Sequence, residues 1–287
     1  MLGSMSPSSS TITSRSNPRI VNAARLRERR QRERTGLTLI DGTRELLRAL
    51  QSGVDVETVY VLENGTDDPD SPDDGRDGAL EAVRREAEAR GAEIVTVSRP
   101  VLERLAFGDR TEGVVAVARV PDLALDRISL PGNALVVVIE SVEKPGNLGA
   151  VLRSADAVGA AALVAADART DIFNPNVIRA SLGTVFGVPV ATGSTPETIA
   201  WLREHHLAIV TARVDATALF SDLDLRGPLA IVLGSEAHGL SDLWRGDDVT
   251  AAHLPMRGAA DSLNVSTAAA VLLFEATRQR GLQGRSM

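Results

Sequence analysis

Cysteine is absent from this chain of 287 residues. Its absence excludes disulfide bonds, thiolate nucleophiles, zinc sites with cysteine ligands and iron–sulfur clusters. The chain also has no apolar run near the ~20 residues that a membrane-spanning helix needs, and its first residues lack the basic start and apolar core of a secretory signal. These absences predict a soluble, cytoplasmic protein.

Lysine is nearly absent as well, because Lys144 is the only one among 31 basic residues. The formal net charge is −7, yet the charge is unevenly distributed. Between Arg15 and Arg34 there are eight arginines and only two glutamates, while acidic residues concentrate between Asp67 and Asp77. A basic segment on an acidic protein suits contacts with phosphates, although a solvated helix face would have the same composition.

The chain is predicted to form two domains. Residues 1–18 are rich in Ser, Thr and Pro and poor in apolar side chains, which predicts a disordered tail. The first domain, 19–120, begins with a helix from Val21 to Arg34 and continues with alternating strands and helices, the pattern of a small α/β/α unit. Segment 121–133 has prolines and no clear period, which predicts a linker to a second domain at 134–287.

Uninterrupted apolar runs recur in the second domain, as strands covered on both faces of a parallel sheet require. They lie at 135–139, 162–165, 208–211 and 229–233, with a weaker run at 250–254. Helical stretches separate them. The predicted fold class is therefore α/β, with a parallel, Rossmann-like sheet.

Glycines and small polar residues follow three of these runs. The segments are Asn147–Arg153 (NLGAVLR), Leu233–Leu240 (LGSEAHGL) and Leu254–Ser266 (LPMRGAADSLNVS). Open α/β sheets gather ligand-binding groups at the carboxyl ends of their strands, so the three segments are candidates for one site. No Gly-x-Gly-x-x-Gly opens a helix after a strand, a P-loop lysine is missing after Gly239, and no histidine has the context of a catalytic base.

Each polar group in these segments also has a structural alternative. Asn147 could cap the helix that bears Arg153, a contribution of about 1 kcal/mol, and Glu236 could cap a helix that follows it. Ser262 and Asn264 could each cap the last helix. In the functional interpretation, the Arg153 guanidinium holds a phosphate through paired hydrogen bonds, and an amide such as that of Asn264 orients a hydroxyl.

Together, and in the same order, the three segments resemble the signature motifs of the SpoU (TrmH-type) RNA 2′-O-ribose methyltransferases. The resemblance covers roughly residues 19–280 and implies methyl transfer from S-adenosylmethionine to a ribose 2′-hydroxyl of RNA, without a metal. It also implies a homodimer and a Rossmann-derived sheet whose C-terminal segment forms a deep trefoil knot. In the first domain, residues 39–44 and 111–114 resemble the RNA-binding domain of many family members.

The candidate residues fall into three groups: the resemblance implies the catalytic group and the donor group, whereas Arg29, Arg30 and Arg44 of the third group are hypotheses for RNA contacts in the first domain. The catalytic group comprises Asn147, Arg153, Glu236, Ser262 and Asn264. The group around the methyl donor comprises Leu233, Gly234, Ser235, Glu236, Gly239, Leu254, Met256, Ser262 and Leu263. The RNA-binding group comprises Arg29, Arg30, Arg44, Arg153 and Arg179. Because a guanidinium stays protonated in proteins, we expect Arg153 to act electrostatically, with the ribose proton passing to Ser262, a phosphate or water.

Three hypotheses about the function follow from the resemblance. An N-terminal RNA-binding domain is typical of the ribosomal-RNA members, some of which are antibiotic-resistance enzymes, and favours large-subunit rRNA. The alternatives are a tRNA 2′-O-methyltransferase and a non-catalytic RNA-binding or ribosome-assembly protein on the same fold. Retention of Asn147, Arg153, Ser262 and Asn264 disfavours the non-catalytic alternative, because a pure binding protein has no need of all four.

Overall fold

The computed structural model describes residues 11–63, 76–107 and 112–281, and the chain divides into two compact units. One unit comprises residues up to Pro121 together with Phe173–Arg179, and the other comprises the rest. The sequence did not predict that 173–179 belongs to the first unit. Most of the acidic segment from Asp67 to Asp77 lies outside the described residues. Residues 1–10 of the predicted tail and Thr111 of the segment 111–114 also lie outside them.

The first unit is built around a mixed sheet with the strand order β1-β4-β2-β3. Strand β4 pairs antiparallel with β1 and β2, and β2 pairs parallel with β3. The elements before residue 121 are α1 (Pro18–Arg25), α2 (Arg29–Thr35), β1 (Leu37–Asp41), α3 (Thr43–Gln51), β2 (Val56–Leu62), α4 (Arg76–Ala89), β3 (Glu93–Val97), α5 (Arg99–Leu105) and β4 (Val114–Arg119).

The single helix predicted from Val21 to Arg34 is wrong, because two helices with a turn between them occupy this region. The buried guanidinium of Arg32 donates from Nη1 to the carbonyl oxygens of Leu26 and Arg27, each at 2.8 Å. These bonds satisfy carbonyl groups that follow α1 and would otherwise lack partners. One of the eight arginines of the basic segment is thus a structural residue.

The ordered chain also begins earlier than Arg19, contrary to the expectation of a disordered tail through residue 18. Ile12 forms a parallel bridge with Val97, donating its N–H to the Thr96 carbonyl at 2.9 Å. The Asn17 side chain then accepts from the Arg19 N–H and caps α1. The low apolar content of residues 1–18 did not indicate that one of them, Ile12, pairs with a strand.

The second unit contains a seven-stranded parallel sheet in the order β7-β6-β5-β10-β8-β11-β9. Its elements, with α7 shared between the units, are β5 (Leu135–Glu140), α6 (Pro145–Ala157), β6 (Ala162–Ala166), α7 (Pro175–Ala180), β7 (Val190–Gly193), α8 (Thr195–Glu204), β8 (Ala208–Ala212), β9 (Ala218–Leu219), β10 (Leu229–Leu233), β11 (Val249–His253) and α9 (Val265–Gln279). Every residue of β5, β6 and β10 is buried, which explains their unbroken apolar runs. The predicted α/β class is confirmed, and the trefoil knot remains a prediction.

The segment predicted as a linker packs into the second unit instead. The Leu123 carbonyl accepts from the Thr192 N–H at 2.8 Å, and Leu125 lies against Gly193 at the end of β7. Ile128 is buried in the hydrophobic core of this unit. Prolines and polar residues marked an irregular segment correctly but did not indicate that its apolar side chains are buried.

Parallel pairing brings the carboxyl ends of β5, β8, β10 and β11 to one edge of the sheet. The chain that follows β5 continues into α6, which packs against α9. Among residues 11–63, 76–107 and 112–281, no helix is both long and apolar enough to cross a membrane.

Candidate active site

A cavity of about 810 Å³ lies at the carboxyl ends of β8, β10 and β11, beside the start of α9. Every residue of the predicted donor group lines it. Apolar side chains of Leu254, Met256 and Leu263 share its walls with the charged side chains of Lys144 and Glu236. This volume is within the range of about 300–1,000 Å³ typical of small-molecule sites.

The loop of residues 234–240, here called the Gly234 loop, forms one wall of the cavity. Ser235 and Gly239 pair through two backbone hydrogen bonds of 3.1 and 2.9 Å, which hold Glu236 in the turn between them. A Cβ on Gly234 would overlap the backbone of Gly239 and Leu240. Gly239 has φ +65°, a conformation that other residues rarely adopt. The two glycines are therefore required for the shape of the loop.

Glu236 is the centre of a four-residue cluster with Lys144, Asn147 and Asn264, here called the Glu236 cluster. Its Oε2 accepts from Lys144 Nζ at 2.6 Å, and its Oε1 accepts from Asn147 Nδ2 and Asn264 Nδ2, each at 2.6 Å. Asn264 Nδ2 also lies 3.3 Å from Asn147 Oδ1. The cluster joins the start of α6, the Gly234 loop and the start of α9 at the cavity.

The charges of the cluster stabilise one another. The hydrogen bond from Lys144 lowers the pKa of Glu236, and the bond from Asn147 contributes in the same direction. The pKa of Lys144 is raised by the same contact with Glu236. At neutral pH the cluster therefore contains a carboxylate that accepts three hydrogen bonds.

The capping alternative holds for Asn264 but not for Asn147, Glu236 or Ser262. Lys144 is the N-cap of α6, and Asn147 lies within the first turn with its side chain directed at Glu236. Glu236 caps no helix, because the next helical turn, Asp242–Trp244, has Ser241 as its N-cap. Asn264 does cap α9, with its Oδ1 accepting from the Ser266 N–H at 2.9 Å, and it donates to Glu236 as well. Asn264 therefore caps α9 and belongs to the Glu236 cluster at the same time.

Arg153 and Ser262 differ from the rest of the predicted catalytic group. Ser262 is exposed and lines the cavity, but its hydroxyl has no side-chain hydrogen bond within the described part of the chain. Arg153 is exposed on α6, away from the cavity lining. Four predicted catalytic residues thus lie at or beside the cavity, and Arg153 does not join them in the single chain.

Comparison with known proteins identifies the family. The sequence pattern of the SpoU rRNA Methylase family matches residues 134–274. The 23S rRNA (uridine(2479)-2′-O)-methyltransferase of Streptomyces viridochromogenes is 32% identical over 294 residues, covering 99% of this chain and 97% of that protein. This chain belongs to the SpoU rRNA methylase family. The predicted family, the enzyme class of RNA 2′-O-ribose methyltransferases and the methyl donor S-adenosylmethionine are confirmed.

Solved structures agree with this assignment to the SpoU family. A crystal structure of an RNA 2′-O ribose methyltransferase is 41% identical and covers 95% of this chain and all of its own, with a TM-score of 0.79. The SpoU methyltransferase AviRb from Streptomyces viridochromogenes, in complex with the cofactor AdoMet, is 29% identical. It covers 94% of this chain and all of its own, with a TM-score of 0.80.

The cavity of this SpoU chain suits S-adenosylmethionine by its chemistry. Gly234 lines the cavity, and its lack of a side chain lets the loop pack closely on itself, because a Cβ there would overlap the backbone of Gly239 and Leu240. The apolar side chains of Leu254, Met256 and Leu263 suit an adenine ring, and the polar and charged side chains that share the lining suit the charged methionine end. The lining also contains Lys144 and Arg213, which were not predicted from the sequence; only the rarity of lysine in the chain distinguishes Lys144 beforehand.

The N-terminal part of the chain matches the MRM3-like substrate binding domain over residues 17–116. Arg29 and Arg30 are both exposed on α2, and Arg29 pairs with Glu33 at 2.7 Å. Arg44 pairs with Glu45 at 2.9 Å, with half of its own side chain exposed. Arg179 donates to the Phe107 carbonyl within the first unit and lies 3.6 Å from the Asp41 carboxylate. Of the predicted RNA-binding group, Arg30 and Arg153 therefore have the fewest hydrogen bonds and ion pairs within the described residues.

Proposed function

We propose that this chain methylates a ribose 2′-hydroxyl of large-subunit ribosomal RNA. The observation that carries the proposal is the Glu236 cluster, in which Asn147, Glu236 and Asn264 from three distant segments converge beside the cavity. Similarity along nearly the whole chain to a 23S rRNA 2′-O-methyltransferase supports this substrate class over tRNA. An rRNA substrate also implies a cytoplasmic location.

The chain's residues would act mainly by orientation. Bound S-adenosylmethionine supplies an activated methyl group on its sulfonium, so the protein must align the ribose hydroxyl and assist loss of its proton. Glu236 draws the amide N–H groups of Asn147 and Asn264 toward itself. The hydrogen bond to Glu236 fixes the orientation of the Asn147 amide, so its carbonyl oxygen can accept a hydrogen bond from the ribose hydroxyl.

Ser262 and Arg153 would contribute to the reaction in different ways. The Ser262 hydroxyl, at the cavity wall and without a side-chain partner among the described residues, can accept the ribose proton while it passes its own proton to water. The exposed Arg153 guanidinium can hold an RNA phosphate through two hydrogen bonds. Its charge would fix the target nucleotide without itself accepting a proton.

We also propose that the protein is a homodimer. Val271 and Phe274 are exposed on α9, three residues apart on one helix face, with 36% and 52% of their surfaces accessible. Burial of large apolar side chains at a self-complementary interface would remove this surface from water. A dimer would also let the exposed face of α6 that bears Arg153 approach a second chain.

The decisive experiment is transfer of a labelled methyl group from S-adenosylmethionine to bacterial rRNA, tRNA and intact large ribosomal subunits. Mapping of 2′-O-methyl positions should find one new ribose methyl in large-subunit rRNA. A new methyl in tRNA alone would replace the proposed substrate. No transfer to any fraction, despite donor binding by calorimetry, would favour a non-catalytic RNA-binding protein. The antibiotic resistance expected of some members is tested separately, by drug susceptibility with and without the gene.

A further inference from the structure

A second carboxylate, Glu140, lies at the same edge of the sheet as the Glu236 cluster but outside the cavity lining. It is the last residue of β5 and only 4% exposed. Its Oε2 accepts from the Ser241 N–H at 2.7 Å, and its Oε1 accepts from the hydroxyls of Ser241 and Thr195 at 2.7 and 2.8 Å. Its partners within the described residues are thus neutral donors, and a buried polar group needs such hydrogen-bond partners to be tolerated.

The position of Ser241 connects Glu140 to the cavity. Ser241 directly follows the Gly234 loop and begins the helical turn Asp242–Trp244. Its backbone N–H and its hydroxyl both bond to Glu140, so the end of the loop is attached to the end of β5. The start of the loop is attached separately, because Leu233 pairs with Ile139 in the sheet.

Two carboxylates therefore join the same two segments in opposite directions. Glu140, at the end of β5, accepts from Ser241, at the end of the Gly234 loop. Glu236, within that loop, accepts from Lys144 and Asn147, which follow Glu140 by four and seven residues. Two points of attachment restrict rotation between the segments, which a single point would allow.

We infer that Glu140 is a positioning residue that holds the Gly234 loop, and with it Glu236, in the geometry needed for donor binding. It does so through Ser241 and without touching the donor. The inference rests on the proposed function for the role of the donor, and its structural part concerns the loop alone. The remaining hydrogen bond to Glu140 comes from the hydroxyl of Thr195, which belongs to α8 and not to the Gly234 loop.

Two substitutions at Glu140 separate hydrogen bonding from charge. In Glu140→Gln the amide oxygen can accept from the Ser241 N–H, and the amide N–H groups can donate to the two hydroxyl oxygens, which have free lone pairs. In Glu140→Val these partners lose their acceptor. We expect Glu140→Val to weaken S-adenosylmethionine binding at least about tenfold, as loss of hydrogen bonds to a buried charge implies, and Glu140→Gln to remain within about threefold of the unsubstituted protein.

Two further variants locate the effect. Ser241→Ala removes the hydroxyl at the end of the loop and should weaken donor binding in the same direction, even if Glu140→Val does not fold. Thr195→Val removes the hydroxyl on α8 with little change of shape and should leave donor affinity unchanged. In steady-state assays the KM for the donor should rise in Ser241→Ala while the KM for RNA stays constant.

The measurements are calorimetric donor affinity and hydrogen exchange of the amides at 235–241, with thermal melting as the control for folding. Faster exchange in this loop together with weaker donor binding, both rescued by Glu140→Gln, supports the inference. Unchanged loop exchange and donor affinity in Ser241→Ala, or equal losses in Thr195→Val, would overturn it. Neither readout uses RNA, so failure of methyl transfer would count against the proposed function and not against this role of Glu140.

Discussion

Lys144 Nζ donates to Glu236 Oε2 at 2.6 Å, and Lys144 is the only lysine of the chain. Its side chain is 73% exposed, whereas that of Glu236 is only 29% exposed. An exposed ion pair contributes little to stability. The pair matters instead through the charge state of Glu236, on which the amide orientations of Asn147 and Asn264 depend.

Replacement of Lys144 should shift the acidic limb of the pH–activity profile. The pKa of Glu236 is lowered by Lys144, so the ionised cluster is present above that pKa and is lost as the pH falls through it. In Lys144→Met the pKa of Glu236 rises, and methyl transfer should decline at a higher pH than before. Lys144→Arg keeps the charge and should keep the profile. Superimposable profiles of kcat/KM for Lys144→Met and the unsubstituted protein would contradict this role.

Gly234→Ala should abolish donor binding. The added Cβ would overlap backbone atoms of Gly239 and Leu240, and backbone cannot move aside as a flexible side chain can. We expect donor affinity to fall at least about a hundredfold, as about 3 kcal/mol of strain implies, measured by calorimetry. Gly227→Ala is the matched control, because a Cβ there meets nothing within 4 Å. Normal donor binding by Gly234→Ala would show that the loop is more adaptable than its close contacts indicate.

Arg153→Lys should remove nearly all methyl transfer while donor binding survives. Lysine keeps the positive charge but cannot make the paired, planar hydrogen bonds of a guanidinium. Arg153 lies outside the cavity lining, so calorimetric affinity for S-adenosylmethionine should be unchanged. The control is Arg203→Lys, at an exposed arginine of α8 that pairs with Asp248 and does not line the cavity. Full activity of Arg153→Lys would exclude Arg153 from the mechanism.

Phe274→Glu should convert a dimer into monomers, because a carboxylate in an apolar interface would lose its hydration. Sedimentation equilibrium measures the change directly. Leu243→Glu is the control, since Leu243 is 56% exposed on the short helical turn after the Gly234 loop and not on α9. Identical masses for Phe274→Glu and the unsubstituted protein would show that this face of α9 is not the interface.

Asp41→Asn should stabilise the protein at neutral pH. Burial raises the pKa of Asp41 from 3.8 to about 6, against the opposing effects of the Phe107 N–H and Arg179. The folded state therefore binds more protons than the unfolded state between about pH 4 and 6, and stability falls as the pH rises through that range. Above it, ionised Asp41 costs about 2–3 kcal/mol. An asparagine can still accept from the Phe107 N–H, so this cost should disappear.

Urea unfolding at pH 4 and pH 8 tests the effect of Asp41. The two proteins should differ in free energy of unfolding at pH 8 and approach each other at pH 4, where Asp41 is protonated. A difference of the same size at both pH values would mean that the substitution acts through packing and not through the buried charge.

Five of the seven strands of the second unit were predicted within about one residue of their observed limits, β7 and β9 were not predicted, and the reason is physical. A strand covered on both faces must be apolar throughout, so β5 and β10 are visible as unbroken apolar runs that end at Glu140 and before Gly234. The short strand β7, by contrast, was not assigned as an element of its own, because four residues ending in Thr-Gly carry too little pattern. The break between α1 and α2 was missed because it depends on where the Arg32 side chain is buried.

The linear order of residues by itself determined the family motifs, the parallel α/β class and a group of residues that lines one cavity, because glycine after an apolar strand is a local pattern. Only the tertiary structure decided what the polar side chains do. Asn147 and Glu236 are 89 residues apart, Asn264 and Asn147 are 117 apart, and Glu140 and Ser241 are 101 apart. No local pattern indicates which carboxylate receives which amide, since these hydrogen bonds form only when parallel pairing brings strand ends together at one edge of the sheet.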